Sequence, residues 1–329
     1  MSISAMPEPI DCINTILTPE FAAAMMKLNS RQREAVETLQ GPVLVLAGPG
    51  TGKTEVLSLR VGQILCQTDF SADNILCLTF SRSGVSSMKK RLGELLGSEG
   101  ERVSVETFHS FGQRILQAAS YTGRPARTLL TKAQRYMILE KLLQDPVKAG
   151  SYYENKLTSP GRLKSLDDLI GRLKKEGISA DDLIRHTAHC LDILLPNHPD
   201  YKGVRVPLNA GGKALQKKLR KFADVIAPIF DAYQSLLKKH GYCDYEDILT
   251  EAVTILEHDS ERLLSYQVKY QYILVDEFQD TNEKQLELLL CLISGDEQPN
   301  LFLVGDDDQC IYRFQGASRQ NFERIRSHF

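Results

Sequence analysis

Long apolar runs are missing from this 329-residue sequence. No stretch approaches the roughly 18 uncharged apolar residues of a membrane-spanning helix, which argues against a membrane protein. Met1 to Leu17 lack a basic stretch and contain Glu8 and Asp11, so they do not read as a secretory signal. Cysteine is scattered: Cys12, Cys66, Cys77, Cys190, Cys243, Cys291 and Cys310 include no Cys-x-x-Cys pair. That argues against zinc, an iron–sulfur cluster or a disulfide framework, and fits a reducing, cytoplasmic setting. Internal repeats and low-complexity tracts are absent as well. The chain also lacks a dominant charge, at a formal net of −2. That balance hides an asymmetry. Between Ala119 and Cys243 there are 22 Lys and Arg against 12 Asp and Glu, so the remainder is acidic. The asymmetry hints at a polyanionic partner, although a charge run is more often a solvated face.

What is present is an alternation of strand and helix patterns, in a chain long enough for two domains of about 100–200 residues each. Residues 1–27 read as a loose extension with one short helical pattern, in which Thr18 caps, Pro19 takes the first position and Phe21–Met26 follow. Val43–Ala47, Ile75–Phe80 and Val103–Glu106 are short runs of the kind expected for strands buried on both faces. Helical spacing follows each, over Lys53–Cys66, through Met88, Leu92 and Leu95, and over Phe108–Ala118. Such a succession implies a parallel sheet with helices on its faces. From about Ala119 strand signals stop, and a helical, basic stretch runs to Cys243 with loops expected at Thr158–Gly161, Pro196–Pro199 and Asn209–Gly212. The alternation resumes with a helix at Ile248–Leu256, a strand at Tyr272–Val275, a helix through Leu286–Leu292 and a strand at Leu301–Val304. The expected fold is α/β, a P-loop nucleotide-binding domain with a parallel sheet, interrupted by a mostly helical insertion. Its segments are 28–118 and 244–329, with 119–243 inserted between them.

The strongest local signal is Ala47-Gly48-Pro49-Gly50-Thr51-Gly52-Lys53-Thr54, set between a strand and a helix. Gly48, Gly50 and Gly52 let the backbone fold tightly so that its N–H groups point at phosphate oxygens, and the helix N-terminus adds partial positive charge. With Thr51 completing the loop, Lys53 is placed to reach the β- and γ-phosphates of ATP, and the Thr54 hydroxyl to bind Mg²⁺. The strict pattern begins with Gly, where this chain has Ala47. A phosphate loop needs acids on a second strand, and Tyr272–Val275 ends in Asp276-Glu277. Asp276 suits Mg²⁺, and Glu277 suits orienting the attacking water. Leu301–Val304 leads into Gly305-Asp306-Asp307-Asp308-Gln309, where the neutral Gln309 amide can sense a γ-phosphate or hold the lytic water.

Together these segments resemble the UvrD/Rep (PcrA-like) family of superfamily 1 DNA helicases. Leu28-Asn29-Ser30-Arg31-Gln32 resembles its Q motif, with Gln32 at the adenine edge. Leu78-Thr79-Phe80-Ser81 and Thr107-Phe108-His109-Ser110 resemble motifs Ia and Ib. In that family both contact single-stranded DNA, which implies such contacts for Thr79, Phe80, Thr107, His109 and Ser110. Tyr245-Glu246-Asp247-Ile248-Leu249 resembles the acidic motif after the insertion, Asp276-Glu277-Phe278-Gln279-Asp280-Thr281 resembles motif II, and Gly305 to Ala317 resembles motif III. The resemblance implies a RecA-like domain, hydrolysis of ATP with Mg²⁺, and partners in single-stranded DNA and its junctions with duplex. It implies no small-molecule substrate besides ATP. Phe80, Phe108 and Phe314 are equally at home in a core, and His109 as a cap. The amphipathic run Lys213–Phe222 serves as well for a solvated face as for duplex contact.

Two departures stand out. Relatives often carry a basic residue after Gly-Lys-Thr, where this chain has Glu55, and the usual Trp-Arg pair of motif III is Phe314-Gln315. Phe314 still offers a ring to a base, a contact worth about 1–3 kcal/mol. In the family a second RecA-like domain supplies two arginines to the γ-phosphate and an aromatic to adenine, and its motifs would begin shortly after Phe329. The chain by itself is therefore expected to hydrolyse ATP poorly and not to unwind DNA, as a fragment or a truncated paralogue. The competing expectations are an ATP- and single-strand-binding module without turnover, and the front half of a recombination helicase–nuclease subunit.

Overall fold

The computed structural model describes residues 18–121, 127–144, 160–193, 210–306 and 320–329. They fall into two compact units, one of residues up to Ala119 and from Leu249 onward, the other Ser120–Ile248. In the first, Thr18 caps helix α1 (Pro19–Met26), accepting from Phe21 N at 3.3 Å. This helix is docked rather than loose: Phe21 and Ala24 are buried, and Thr18 Oγ1 donates to Leu95 O at 2.8 Å. Two buried side chains in eight residues give too weak a periodicity to distinguish docking from fraying in sequence.

Helix α2 (Ser30–Glu37) leads to β1 (Val43–Leu46) and α3 (Lys53–Gln67). Then come β2 (Ile75–Thr79), α4 (Arg82–Leu96), α5 (Ser98–Arg102), β3 (Ser104–Thr107) and α6 (Phe108–Ser120). The second unit holds β4 (Thr128–Leu129), α7 (Lys132–Leu143), α8 (Pro160–Lys175), α9 (Ala180–Ile193), α10 (Ala210–His240) and β5 (Tyr242–Cys243). Helix α11 (Asp247–His258) returns to the first unit, followed by α12 (Ser260–Lys269), β6 (Tyr272–Val275), α13 (Glu283–Leu292), β7 (Leu301–Gly305) and α14 (Gln320–His328).

The first unit is built on a parallel sheet in the order β1-β7-β6-β2-β3. Strands β2, β6 and β7 are buried along their whole length, as their unbroken apolar runs require. One face packs against Phe111, Ile115, Leu256, Tyr266 and Leu289, the other against Val36, Leu57, Ile64, Met88 and Leu92. Because every pair is parallel, all five carboxyl ends lie along one edge, where open α/β sheets bind ligands.

The second unit packs Leu163, Leu166, Ile170 and Leu173 of α8 against Ile226, Phe230, Tyr233 and Leu237 of α10, with Leu139 and Leu142 of α7. These positions repeat at helical spacing. Three expectations are corrected here. Strands β4 and β5 form a parallel pair inside the stretch read as strandless. Pro160-Gly161 open α8, and Gly211-Gly212 lie within α10, where loops were expected. Proline is well tolerated in a first helical turn, and Pro/Gly pairs mark loops only statistically. The loop expected at Pro196–Pro199 lies outside the described residues, as do the side chains of Lys213–Phe222. Among the described residues no helix is long and apolar enough to cross a membrane.

Candidate functional site

The loop after β1 turns into α3 through Gly50 at φ +69° and Gly52 at φ +78°, conformations that side chains rarely adopt. A Cβ on Gly50 would meet nothing within 4 Å, so it is backbone conformation rather than crowding that favours glycine there. Thr51 Oγ1 donates to Gly48 O at 2.7 Å and closes the turn. Lys53 opens α3, and its ammonium lies 3.4 Å from Ala47 O and 3.6 Å from Glu277 Oε2. Neither contact is tight, and the side chain is 9% exposed. Thr54 Oγ1 donates to Asp276 Oδ2 at 3.2 Å, joining residues 222 apart in sequence.

The sheet order accounts for this meeting. β7 lies between β1 and β6, so the loop after β1 and the acids after β6 stand near each other above the end of β7. Ala47 N donates to Gly305 O at 2.9 Å, and Asp276 N to Leu78 O at 2.9 Å, so the ladder continues into both loops. Asp276 is buried, and its pKa is raised by burial and by the charge of Glu277 against the pull of Thr54 and Lys53. Among the described residues Glu277 alone combines a side chain with positive φ, at +52°. Such strain is tolerated where a side chain must be aimed.

Sequence reading gave no role to two neighbours of Glu277. Gln279, buried, donates from Nε2 to Glu277 Oε2 at 2.6 Å and accepts at Oε1 from Asp306 N at 2.9 Å. One amide thus links the acid after β6 to the backbone after β7. The fit needs glycine next door, because a Cβ on Gly305 would come within 2.9 Å of Gln279 Oε1. Asp280 is buried with Oδ1 unpartnered, and burial and Glu277 push its pKa up to about 6. Nothing in Phe-Gln-Asp distinguishes these from ordinary turn residues without the partner strand in place.

Gln32 forms a capping box with Asn29: Gln32 N donates to Asn29 Oδ1 at 2.9 Å, and Asn29 N to Gln32 Oε1 at 3.0 Å. Its Nε2 donates to Thr51 O at 3.0 Å, so the amide is brought to the phosphate loop. A carboxamide has two donors and a two-lone-pair acceptor, which leaves capacity for a base edge. Asn-x-x-Gln before a helix is a readable capping signal.

Glu55 does not face the loop alone. Arg91 of α4 clamps it with Nε and Nη2 each 2.6 Å from a carboxylate oxygen. The residues at the ends of β2 and β3 divide by exposure. Thr79 and Thr107 are buried, and Thr107 Oγ1 accepts from Ser110 N at 3.1 Å as a helix cap. Phe108 is a core residue. Phe80, His109 and Ser110 reach the surface. Gln309 and Phe314 lie outside the described residues, as does Gln315.

The hydroxyl of Thr54 and the carboxylate of Asp276 are the hard oxygen donors Mg²⁺ prefers. No group of three or more His, Cys, Asp and Glu among the described residues would hold a metal alone. A parallel α/β sheet, a glycine loop opening a helix, and two acids at the end of a nearby strand define a RecA-like P-loop nucleotide-binding domain.

The chain belongs to the UvrD/REP helicase family: the model of the family's N-terminal domain matches residues 28–329. It is 31% identical over 302 residues to the ATP-dependent DNA helicase PcrA of Staphylococcus epidermidis, and 30% identical over 302 residues to PcrA of Staphylococcus aureus. Each alignment covers 91% of this chain and 36% of the relative, so the chain spans about a third of the length of the curated relatives it matches.

Proposed function

We propose that this chain is the ATP-binding and single-strand-holding front part of an ATP-dependent DNA helicase motor. Residues 28–118 and 244–329 form its first motor domain, and 119–243 a helical insertion offering basic surface to DNA. The observation that carries this is the meeting of Thr54 with Asp276 at 3.2 Å beside Lys53 and Glu277. In a bland glycine turn there is no reason for a hydroxyl, two acids and a lysine from distant segments to converge.

Gly48, Gly50, Thr51 and Gly52 bind phosphate oxygens through backbone N–H groups, and Gln32 holds adenine. Lys53 exchanges its loose contacts with Ala47 and Glu277 for phosphate oxygens. Mg²⁺, when bound at Thr54 and Asp276, neutralises phosphate charge. Glu277 then orients the attacking water and accepts its proton, held in place by Gln279. Gln309 supplies a neutral donor at the γ-phosphate. Phe80, His109 and Ser110 meet single-stranded DNA at the ends of β2 and β3 through ring, imidazole and hydroxyl, Thr79 and Thr107 contribute backbone groups there, and Phe314 stacks on a base. Unwinding requires a second motor domain closing on the nucleotide.

A fluorescent non-hydrolysable ATP analogue with Mg²⁺ should bind this chain saturably, and Lys53→Ala should weaken it about 10- to 100-fold, as loss of a charge-assisted bond implies. Oligo-dT should tighten the wild-type binding. Equal affinities for wild type and variant would sink the proposal. Measuring ATPase with and without oligo-dT then separates a motor part from a binding module without turnover.

A further inference from the structure

Arg60 lies on α3, two turns beyond Lys53, and is fully buried. A buried guanidinium is costly unless its donors are paired, and here the pairing is partial. Nη1 donates to Ala35 O at 2.7 Å and also to Thr38 O. Nε and Nη2 have no partner, and burial holds the pKa down to about 10. The guanidinium lies over the Phe302 ring of β7, 4.3 Å from its centroid, which restrains its plane. An apolar side chain of similar volume would fill this space against Phe302 without the desolvation cost. What it would not do is bind the two carbonyls.

Those carbonyls belong to the last turn and C-cap of α2, where backbone acceptors have no helical donor. Helix α2 has eight residues, Val36 as its one buried side chain, and no basic residue in its last turn. Val36 in the core, with Ala35 and Leu39 packed against it, holds that end by apolar contact, and Arg60 adds the polar tie. The other end carries Gln32, whose Nε2 donates to Thr51 O and lies 3.8 Å from where a Gly52 Cβ would stand. Helix α2 is therefore tied to α3 by Arg60 at one end and to the loop preceding α3 by Gln32 at the other.

We propose that Arg60 is a positioning residue that holds Gln32 in register with the phosphate loop and so sets a preference for adenine over other bases. This rests on Gln32 being the adenine contact. A carboxamide reads a base edge only when its donor and acceptor both align, so a small rotation of α2 costs discrimination before it costs phosphate binding.

The test titrates this chain with fluorescent non-hydrolysable ATP and GTP analogues in Mg²⁺. Wild type, Gln32→Ala, Arg60→Met, Arg60→Lys and the double variant Gln32→Ala with Arg60→Met are compared. Wild type should favour the ATP analogue by about 5- to 100-fold, the range of one bidentate amide–base contact, and Gln32→Ala should abolish the preference. Arg60→Met should lower the ATP-to-GTP ratio by about fivefold or more while GTP-analogue affinity stays within about twofold. Arg60→Lys should recover part of the ratio, and the double variant should lose no more than Gln32→Ala alone, the non-additivity of residues acting through one contact. If Arg60→Met does not fold, Arg60→Lys decides, by a ratio below wild type at unchanged GTP-analogue affinity. An unchanged ratio in the Arg60 variants, or a parallel loss of both affinities with melting temperature, would overturn the proposal. A wild type that binds both analogues without preference removes the Gln32 contact and this proposal together, leaving the phosphate site standing. A wild type that binds neither removes the nucleotide site itself.

Discussion

Each unit of the molecule contains a lysine facing acids, and the two clusters differ in how completely they are closed. In the helical unit Lys174 Nζ lies 2.5 Å from Asp244 Oδ2 and 2.8 Å from Asp247 Oδ1, with its side chain 4% exposed. Tyr233 OH donates to Asp244 Oδ2 at 3.1 Å, and backbone N–H groups of Glu246, Asp247 and Asp244 take up the remaining carboxylate oxygens. In the α/β unit Lys53 stands 3.6 Å from Glu277, while Asp276, Glu277 and Asp280 outnumber it and Asp280 Oδ1 has no partner. Raised titration does not tell the clusters apart. Asp247 is pushed up by burial against the pull of Lys174, much as Asp276 and Asp280 are pushed up by burial and Glu277. Geometry does. A cluster whose donors and acceptors are all matched at hydrogen-bond distance is structure, and one left open and short of positive charge is a site.

The largest expected effect tests that distinction directly. Lys174→Met should destabilise the chain by about 3–5 kcal/mol, because it leaves Asp244 and Asp247 buried without their counter-charge. Lys53→Met should change stability by no more than about 1 kcal/mol, since Glu277 is substantially exposed and retains Gln279. Urea unfolding followed by far-ultraviolet circular dichroism measures both. Equal losses would erase the contrast between a lock and a site.

A second effect tests the open cluster by pH. Asp280 titrates near 6 in the folded chain, above the unfolded value near 4. The folded state therefore binds more protons than the unfolded state between those values, and stability falls as pH rises through them. The stability conferred by the protonated form is complete below about 4 and lost above about 6. Asp280→Asn keeps a neutral side chain throughout, so it should stabilise the chain by up to about 3 kcal/mol at pH 7.5 and by almost nothing at pH 4. Melting temperatures of both proteins across that range are the measurement. A constant offset at every pH would mean that the Asp280 carboxylate is not the strained group.

The same contrast explains what sequence could and could not reveal. The sheet was legible because β2, β6 and β7 are buried on both faces and spell unbroken apolar runs, and the family because its motifs stand at strand ends in order. Strands β4 and β5, two residues each, carry no periodicity, and their pairing joins Thr128 to Tyr242 across the whole insertion. Pro160-Gly161 and Gly211-Gly212 looked like breaks, yet their helices are held by apolar positions further along. At the candidate site, residue types were legible and attachments were not. Gln32 is legible in sequence as an adenine contact, whereas its capping box with Asn29, three positions earlier, and its bond to the phosphate loop are shown by the structure. The positive φ of Glu277, the bridge through Gln279 and the anchoring by Arg60 depend on which strand neighbours which, information that no single segment holds. The Lys174 cluster was visible only as an acidic motif after the insertion, because its lysine comes from α8, 70 residues before Asp244.

The smallest effect concerns a pair between the two extremes. Glu55 and Arg91 meet in a bidentate arrangement with both contacts at 2.6 Å, yet each side chain is 31% exposed. Arg91 titrates above its ordinary value, chiefly through its hydrogen bond to Glu55. If closure of geometry alone made a lock, this pair should behave like Lys174. Solvent screening argues otherwise, because water compensates either partner when the other is removed. A double-mutant cycle with Glu55→Ala and Arg91→Ala should therefore give a coupling of only about 0.5–1 kcal/mol, shrinking as salt is raised. The Glu55→Ala single variant should shift nucleotide affinity by less than about threefold, the pair being screened from the phosphate loop. A coupling above about 2 kcal/mol, insensitive to salt, would place the pair with Lys174 and make burial a less useful divider than bond geometry. A large change in nucleotide affinity would instead make Glu55 part of the site, and the exchange of a basic residue for an acidic one after Gly-Lys-Thr would become a functional difference from its relatives.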